Sequence, residues 1–284
     1  MNGRIVSTRT LLVIASGLLS MLVLYTVLPL LPADGMTQAV VSGLATIVPV
    51  GIASGVTIWA ALTFPAGSRM RMAWLFMGLS ILSYEFASLI WALSEIVRGT
   101  QPASPGVIDL VYLVGYPLTM LALVSAIGAL RREANPMSVL LISFGACAGL
   151  GVVLWMFVLK PVIATPADLI NAIYSVADLV LILPLGITLA YLVNRLGRVR
   201  DALAWWVVIA AFMFALTDDT LFTMASASGV YLSGGPADVG LTLGYLTLGV
   251  AASLAVDVTR AGGDLSGGPV SAEQPDAALE RTDH

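Results

Sequence analysis

Asp109, Tyr112 and Tyr116 follow one another at i, i+3 and i+7, a spacing that lines one face of a helix. Asn171, Tyr174 and Asp178 repeat that spacing, and Asp238, Thr242 and Tyr245 follow it loosely. Two more polar runs join them: Thr217, Asp218, Asp219 and Thr220 with Thr223, and Tyr84 and Glu85 with Ser88. Carboxyls set among tyrosine and threonine hydroxyls suit a proton, a hard cation, an amine held against an aromatic face, or a lipid head group. The candidate ligand set is therefore Glu85, Asp109, Tyr112, Tyr116, Asn171, Tyr174, Asp178, Asp218, Asp219 and Tyr245.

These residues stand inside long apolar runs. Of the chain, 58% is hydrophobic and 11% charged, with a mean hydropathy of +0.96. A soluble domain carries about a quarter charged residues, so this composition points to a membrane. A bilayer core about 30 Å thick takes roughly 20 helical residues. Eight stretches meet that length: Thr10–Leu31, Gln38–Phe64, Met70–Val97, Val107–Leu130, Met137–Leu159, Asp168–Val193, Leu203–Met224 and Pro236–Val258. The expected fold is an all-α bundle of eight transmembrane helices over residues 1–258. Residues 259–284, rich in Gly, Pro, Ala and acids, read as a disordered cytoplasmic tail. The first apolar run exceeds a signal-peptide core of about 7–15 residues, so it reads as a retained anchor.

Depth makes the acids informative. At about 1.5 Å per residue, Asp178 falls roughly 15 Å into its span, near mid-membrane. Glu85 is close to the centre, and Asp218 and Asp219 lie in the outer half. A carboxylate at mid-span costs about 2.5–3.5 kcal/mol on insertion scales. Such groups must face the bundle interior, a wet cavity or each other. Two readings follow: a satisfied polar network that locks the helices, or a ligand or proton site open to the outer face.

Several chemistries are excluded. The only histidine is His284 and the only cysteine is Cys147, which leaves no material for a zinc site, a disulfide or histidine acid–base catalysis. No metal or cofactor is expected. The one lysine, Lys160, stands at a span end before Pro161 and suits no buried Schiff base. No phosphate-cradling loop and no basic, aromatic-interleaved surface for nucleic acid is present. Leu216, Thr217 and Asp218 precede Asp219 where an intramembrane aspartyl protease would show G-x-G-D.

Arginine placement predicts orientation. Arg4, Arg9, Arg69, Arg71, Arg131, Arg132, Arg195, Arg198, Arg200 and Arg260 fall on one side, Arg98 and Lys160 on the other. The positive-inside rule makes the first side cytoplasmic, with both termini inside the plasma membrane. Trp59, Trp74, Trp205 and Trp206 fall at the depth of the inner interface, Trp91 and Trp155 at the outer one. A weak repeat heads three spans with Pro then Asp, at Pro105 and Asp109, Pro166 and Asp168, and Pro236 and Asp238. Proline and an acid suit a helix start, but they leave the following tyrosines unexplained. Gly51/Gly55, Gly145/Gly149 and Gly240/Gly244 allow close helix approach, within the bundle or across a homodimer seam. Pro49, Pro117 and Pro184 are expected to kink their spans.

Four runs, Ser104–Arg132, Ile173–Gly186, Ala215–Tyr231 and Asp238–Ala252, resemble the multi-span N-terminal region of some bacterial diguanylate cyclases and phosphodiesterases of the GGDEF/EAL type. Asp109, Tyr112, Tyr116, Pro117, Tyr174, Asp178, Asp219 and Tyr245 match the polar positions of that group. Ser175 replaces its usual proline, Leu243 stands near its tryptophan, and no cyclase or phosphodiesterase pattern follows Arg260. The resemblance therefore implies only the membrane module, an intramembrane sensing unit. The expected function is a sensory or ligand-binding membrane module that signals through a cytoplasmic partner. The rivals are a small or proton-coupled carrier, a lipid-active enzyme using Asp178 and Asp219, and a structural subunit.

Overall fold

The computed structural model describes residues 7–31, 36–100, 102, 106–130, 135–196, 199–231, 233 and 236–260. Eight helices long and apolar enough to cross a membrane make up nearly all of them. They are α1 (Thr8–Leu30), α2 (Met36–Thr63), α3 (Arg69–Arg98), α4 (Val107–Leu130), α5 (Met137–Leu159), α6 (Pro166–Arg195), α7 (Val199–Ala227) and α8 (Pro236–Arg260). The expected tail from residue 261 lies outside the described residues, as do Arg4, Arg131, Arg132 and Arg198.

Local chemistry sets the helix ends. Ser68 caps α3 by accepting from the Arg71 N–H at 3.2 Å, and Gly99, at φ 66°, ends it in the left-handed region that glycine alone enters freely. Thr165 and Asp168 form a capping box on α6: Thr165 Oγ1 accepts from the Asp168 N–H at 3.3 Å, and Asp168 Oδ2 accepts from the Thr165 N–H at 2.8 Å. Asp109 closes the start of α4 by accepting from the Gly106 N–H at 2.6 Å. The Pro–Asp pattern is thus helix-start chemistry at α4 and α6.

Proline acts in two ways. Pro49 and Pro117 sit inside continuous α-helix. By contrast, π-helical turns at Val23–Val27, Trp155–Leu159 and Asp178–Ile182 each end two residues before a proline, at Pro29, Pro161 and Pro184. Widening the turn moves the preceding carbonyls out of the way of the pyrrolidine ring.

The packing forms a closed ring of six helices. In ring order α2 lies on α3, α3 on α4, α4 on α6, α6 on α7, α7 on α8, and α8 back on α2. Two helices stand outside it. α1 fills the groove between α2 and α8, and α5 lies mainly on α6. The order repeats after four helices: an outer helix, then three ring helices, twice over. The three helices that open on Pro and Asp, α4, α6 and α8, are all ring members. The outward faces are strongly apolar, with Leu18 at 68% and Phe157 at 77% exposed. Such a surface is stable only under lipid.

The start of α1 and the end of α8 meet at one end of the bundle, the proximal end. There Ser7 meets Ser253 at 3.0 Å, and the guanidinium groups of Arg9 and Arg260 lie 3.6 and 5.4 Å from the Trp59 ring centre. The proximal half of the ring is filled by buried apolar side chains. Trp74 and Trp205 stack across it at 5.0 Å and 20°, packed with Met70, Met77, Ile81 and Leu123. The expectation of interfacial tryptophans is corrected here. Trp74 and Trp205 have the right depth but point inward, at 0% and 2% exposure, while Trp206 is 49% exposed.

The glycine pairs divide. Gly240 and Gly244 pack α8 against α7. Gly51 leaves room for a side chain described below, and Gly55 meets nothing. Gly145 and Gly149 face away from the bundle, so the expected close approach within it does not occur on α5.

Candidate ligand-binding cavity

The distal half of the ring encloses a cavity of about 130 Å³. All six ring helices line it, and neither α1 nor α5 does. From α2 come Ser42, Gly43 and Thr46 with Ile47 and Val50. From α3 come Tyr84, Ser88, Trp91 and Glu95, every third or fourth residue of one helical stripe, with Glu85 beside it. Tyr112 and Tyr116 enter from α4 and Tyr174 from α6. α7 supplies Asp218, Asp219 and Phe222, and α8 supplies Asp238, Leu241, Thr242 and Tyr245. Tyr231 and Ser233 close the mouth from the loop between α7 and α8.

Seven of the ten candidates meet at this cavity: Glu85, Tyr112, Tyr116, Tyr174, Asp218, Asp219 and Tyr245. Three do not line it. Asp109 is held behind Tyr174, whose hydroxyl donates to Asp109 Oδ1 at 3.2 Å. Asn171 is buried away from the space. Asp178 lies beside Asp219 and does not line the cavity, and its own Oδ2 is buried with no partner.

Tyr84 organises the aromatic wall. Its ring lies 5.9 Å from Tyr112, 6.2 Å from Tyr116 and 5.2 Å from Tyr245. Tyr174 extends the group at 6.4 Å from Tyr112 and 6.1 Å from Tyr116. Gly115 makes the centre possible, because a Cβ there would overlap the Tyr84 ring. Hydroxyls fix the rings. The Tyr112 and Ser88 hydroxyls share a hydrogen bond of 3.1 Å, and Tyr116 donates to Asp219 Oδ2 at 3.2 Å. Glu85 projects over α2, where a Cβ on Gly51 would sit 2.5 Å from Glu85 Oε1.

The mouth has its own network. Trp91 Nε1 donates to Ser233 Oγ at 3.3 Å, and Ser233 donates to Glu95 Oε1 at 2.6 Å. Tyr231 donates to Asp238 Oδ1 at 2.8 Å, and its ring stands edge-on to Trp91 and Phe222. Burial and the Asp238 carboxylate push the Tyr231 phenol well above its usual range, so it remains a donor.

Sequence reasoning left Trp91, Glu95, Phe222, Tyr231 and Ser233 out, and the whole α2 wall. The stripe on α3 carried a usable signal, since Trp91 and Glu95 continue the spacing of Tyr84 and Ser88. Comparisons of the chain with protein-family models, with curated proteins and with solved structures find no match.

Proposed function

We propose that the chain is a membrane-embedded receptor for a small ligand that enters from the distal end. One observation carries this reading. Six helices converge on a polar, aromatic cavity, while the same helices bury a continuous apolar cluster beneath it. A polar network serving only to lock helices together needs no open volume, and buried hydroxyls and carboxyls pack without one. The resemblance to the sensing regions of bacterial diguanylate cyclases and phosphodiesterases supports the same role, with a cytoplasmic partner as the output. The arginine bias supports a plasma-membrane orientation with both termini cytoplasmic. Among residues with described side chains, Arg9, Arg69, Arg71, Arg195 and Arg260 stand at proximal helix ends, and Arg98 and Lys160 at distal ones.

A carrier is the second reading. The π-helical turn at Asp178–Ile182, followed by Pro184, is the observation that favours it. Such an interruption in a ring helix next to a buried acid is a place for movement. The stacked indoles at the proximal side argue for a dead end. A lipid-active enzyme is less well supported, because Asp178 does not reach the cavity where a substrate would sit. Purified chain in proteoliposomes decides between receptor and carrier. The receptor gives a ligand-dependent rise in melting temperature and no flux. Flux of a ligand, abolished by Asp178→Asn, overturns it in favour of the carrier.

A further inference from the structure

We propose that the occupant of the cavity is a small organic ammonium ion, a methylated or primary amine; this rests on reading the cavity as a ligand site. Charge comes first. Among the described residues, five carboxyl-bearing ones line the space, Glu85, Glu95, Asp218, Asp219 and Asp238, and no lysine, arginine or histidine does. Neutral hydroxyls donate to three of them: Tyr116 to Asp219, Ser233 to Glu95 and Tyr231 to Asp238. Asp218 is only 4% exposed, and its Oδ1 has no partner. An anion would meet these acids with nothing to neutralise it. A cation supplies the missing counter-charge.

The arrangement then selects the kind of cation. Among the described residues, no three acidic, histidine or cysteine side chains converge as a metal cage would require. Five tyrosine rings, Tyr84, Tyr112, Tyr116, Tyr174 and Tyr245, line the same space as the acids. Ring faces attract cations of low charge density, and alkylated ammonium ions are the ligands that such walls suit. Size agrees. An apolar cavity of about 150 Å³ takes benzene, so a space of about 130 Å³ suits on the order of five or six non-hydrogen atoms.

The test uses the full chain in phosphatidylglycerol nanodiscs and tetramethylammonium as probe. Saturation-transfer NMR follows the methyl signal, with tert-butanol as a neutral probe of the same size, and the melting temperature follows calcium as a bare cation. Saturation should pass to tetramethylammonium in a titratable manner. Glu85→Gln and Asp219→Asn should each weaken it by about fivefold or more. The melting temperature without probe shows that the variants fold. Nanodiscs of phosphatidylcholine separate two sources of the same chemistry. Loss of the signal only there assigns the ammonium to a lipid head group, and equal signals assign a free amine. A stronger response to tert-butanol, tetramethylammonium binding indifferent to both substitutions, or a calcium response in its place overturns the cation and leaves a ligand site. Silence from every probe overturns the ligand-binding reading itself.

Discussion

The two halves of the six-helix ring are built from the same helices and do opposite things. Along α3 the inward stripe reads Met70, Trp74, Met77 and Ile81, and then changes to Tyr84, Glu85, Ser88, Trp91 and Glu95. Along α8, read from its proximal end, Val256, Ala252 and Leu248 give way to Tyr245, Thr242 and Asp238. On α3 and α8 the backbone stays α-helical through the switch, and only the side chains change. The apolar half closes the ring by packing. The polar half encloses the cavity between its side chains. The lower half therefore acts as a rigid base that fixes helix positions for the upper one.

The largest effect should come from breaking that base. Trp74 is fully buried and stacked on Trp205. Trp74→Ala should cost about 3–5 kcal/mol, as deletion of a buried aromatic does. Thermal unfolding of the purified protein checks this. A loss below about 1 kcal/mol would mean that the proximal half is no rigid base.

Gly115→Ala comes next and joins the two halves. The added methyl overlaps the Tyr84 ring and drives it towards the cavity, since α3 and α4 are already held by Ser80 Oγ donating to the Gly115 carbonyl at 2.9 Å. Overpacking of this kind costs about 1–3 kcal/mol. Probe binding should fall along with the melting temperature. Gly51→Ala provides the contrast, because it crowds Glu85 rather than a ring centre. It should weaken binding more than it lowers stability, and equal losses would show that Gly51 is only a packing residue.

How much of this was legible without coordinates follows from the same stripes. Eight apolar runs announce eight spans because hydrocarbon thickness dictates their length. Polar residues at helical spacing announce the inward faces of α4, α6 and α7, since nothing else tolerates them in lipid. The role of α2 was not legible. It carries no acid and contributes Ser42, Gly43 and Thr46, small residues that read as filler on any helix. Depth was legible for Trp74 and Trp205, but their inward direction was not taken from the tryptophans alone. The stripe of Met70, Met77 and Ile81 around Trp74 held that information. The placing of α5 outside the ring rests on which helices touch, a long-range property that no local spacing records.

Asp178→Asn tests the layer between the halves. The acid is buried with Oδ2 unpartnered and Asp219 beside it. An amide of the same shape can donate to Asp219 and removes one of two adjoining carboxyls. Stability should rise by up to about 1 kcal/mol, the worth of one added hydrogen bond. A fall of more than about 2 kcal/mol would show that the carboxyl has a partner it cannot lose.

The smallest effect should be at the mouth. Ser233→Ala removes the hydroxyl that accepts from Trp91 and donates to Glu95. Both partners are half-buried at the cavity rim, so water can replace the hydroxyl. The stability cost should stay below about 1 kcal/mol, since replacement by water returns most of the energy of a hydrogen bond. The effect belongs in the kinetics instead. With the loop no longer tied to α3, probe should enter and leave faster, while the equilibrium constant changes little. NMR line widths of tetramethylammonium in the presence of the variant measure that exchange. Unchanged exchange with unchanged affinity would place the entrance elsewhere in the ring, and a large loss of affinity would move Ser233 from the rim into the binding surface itself.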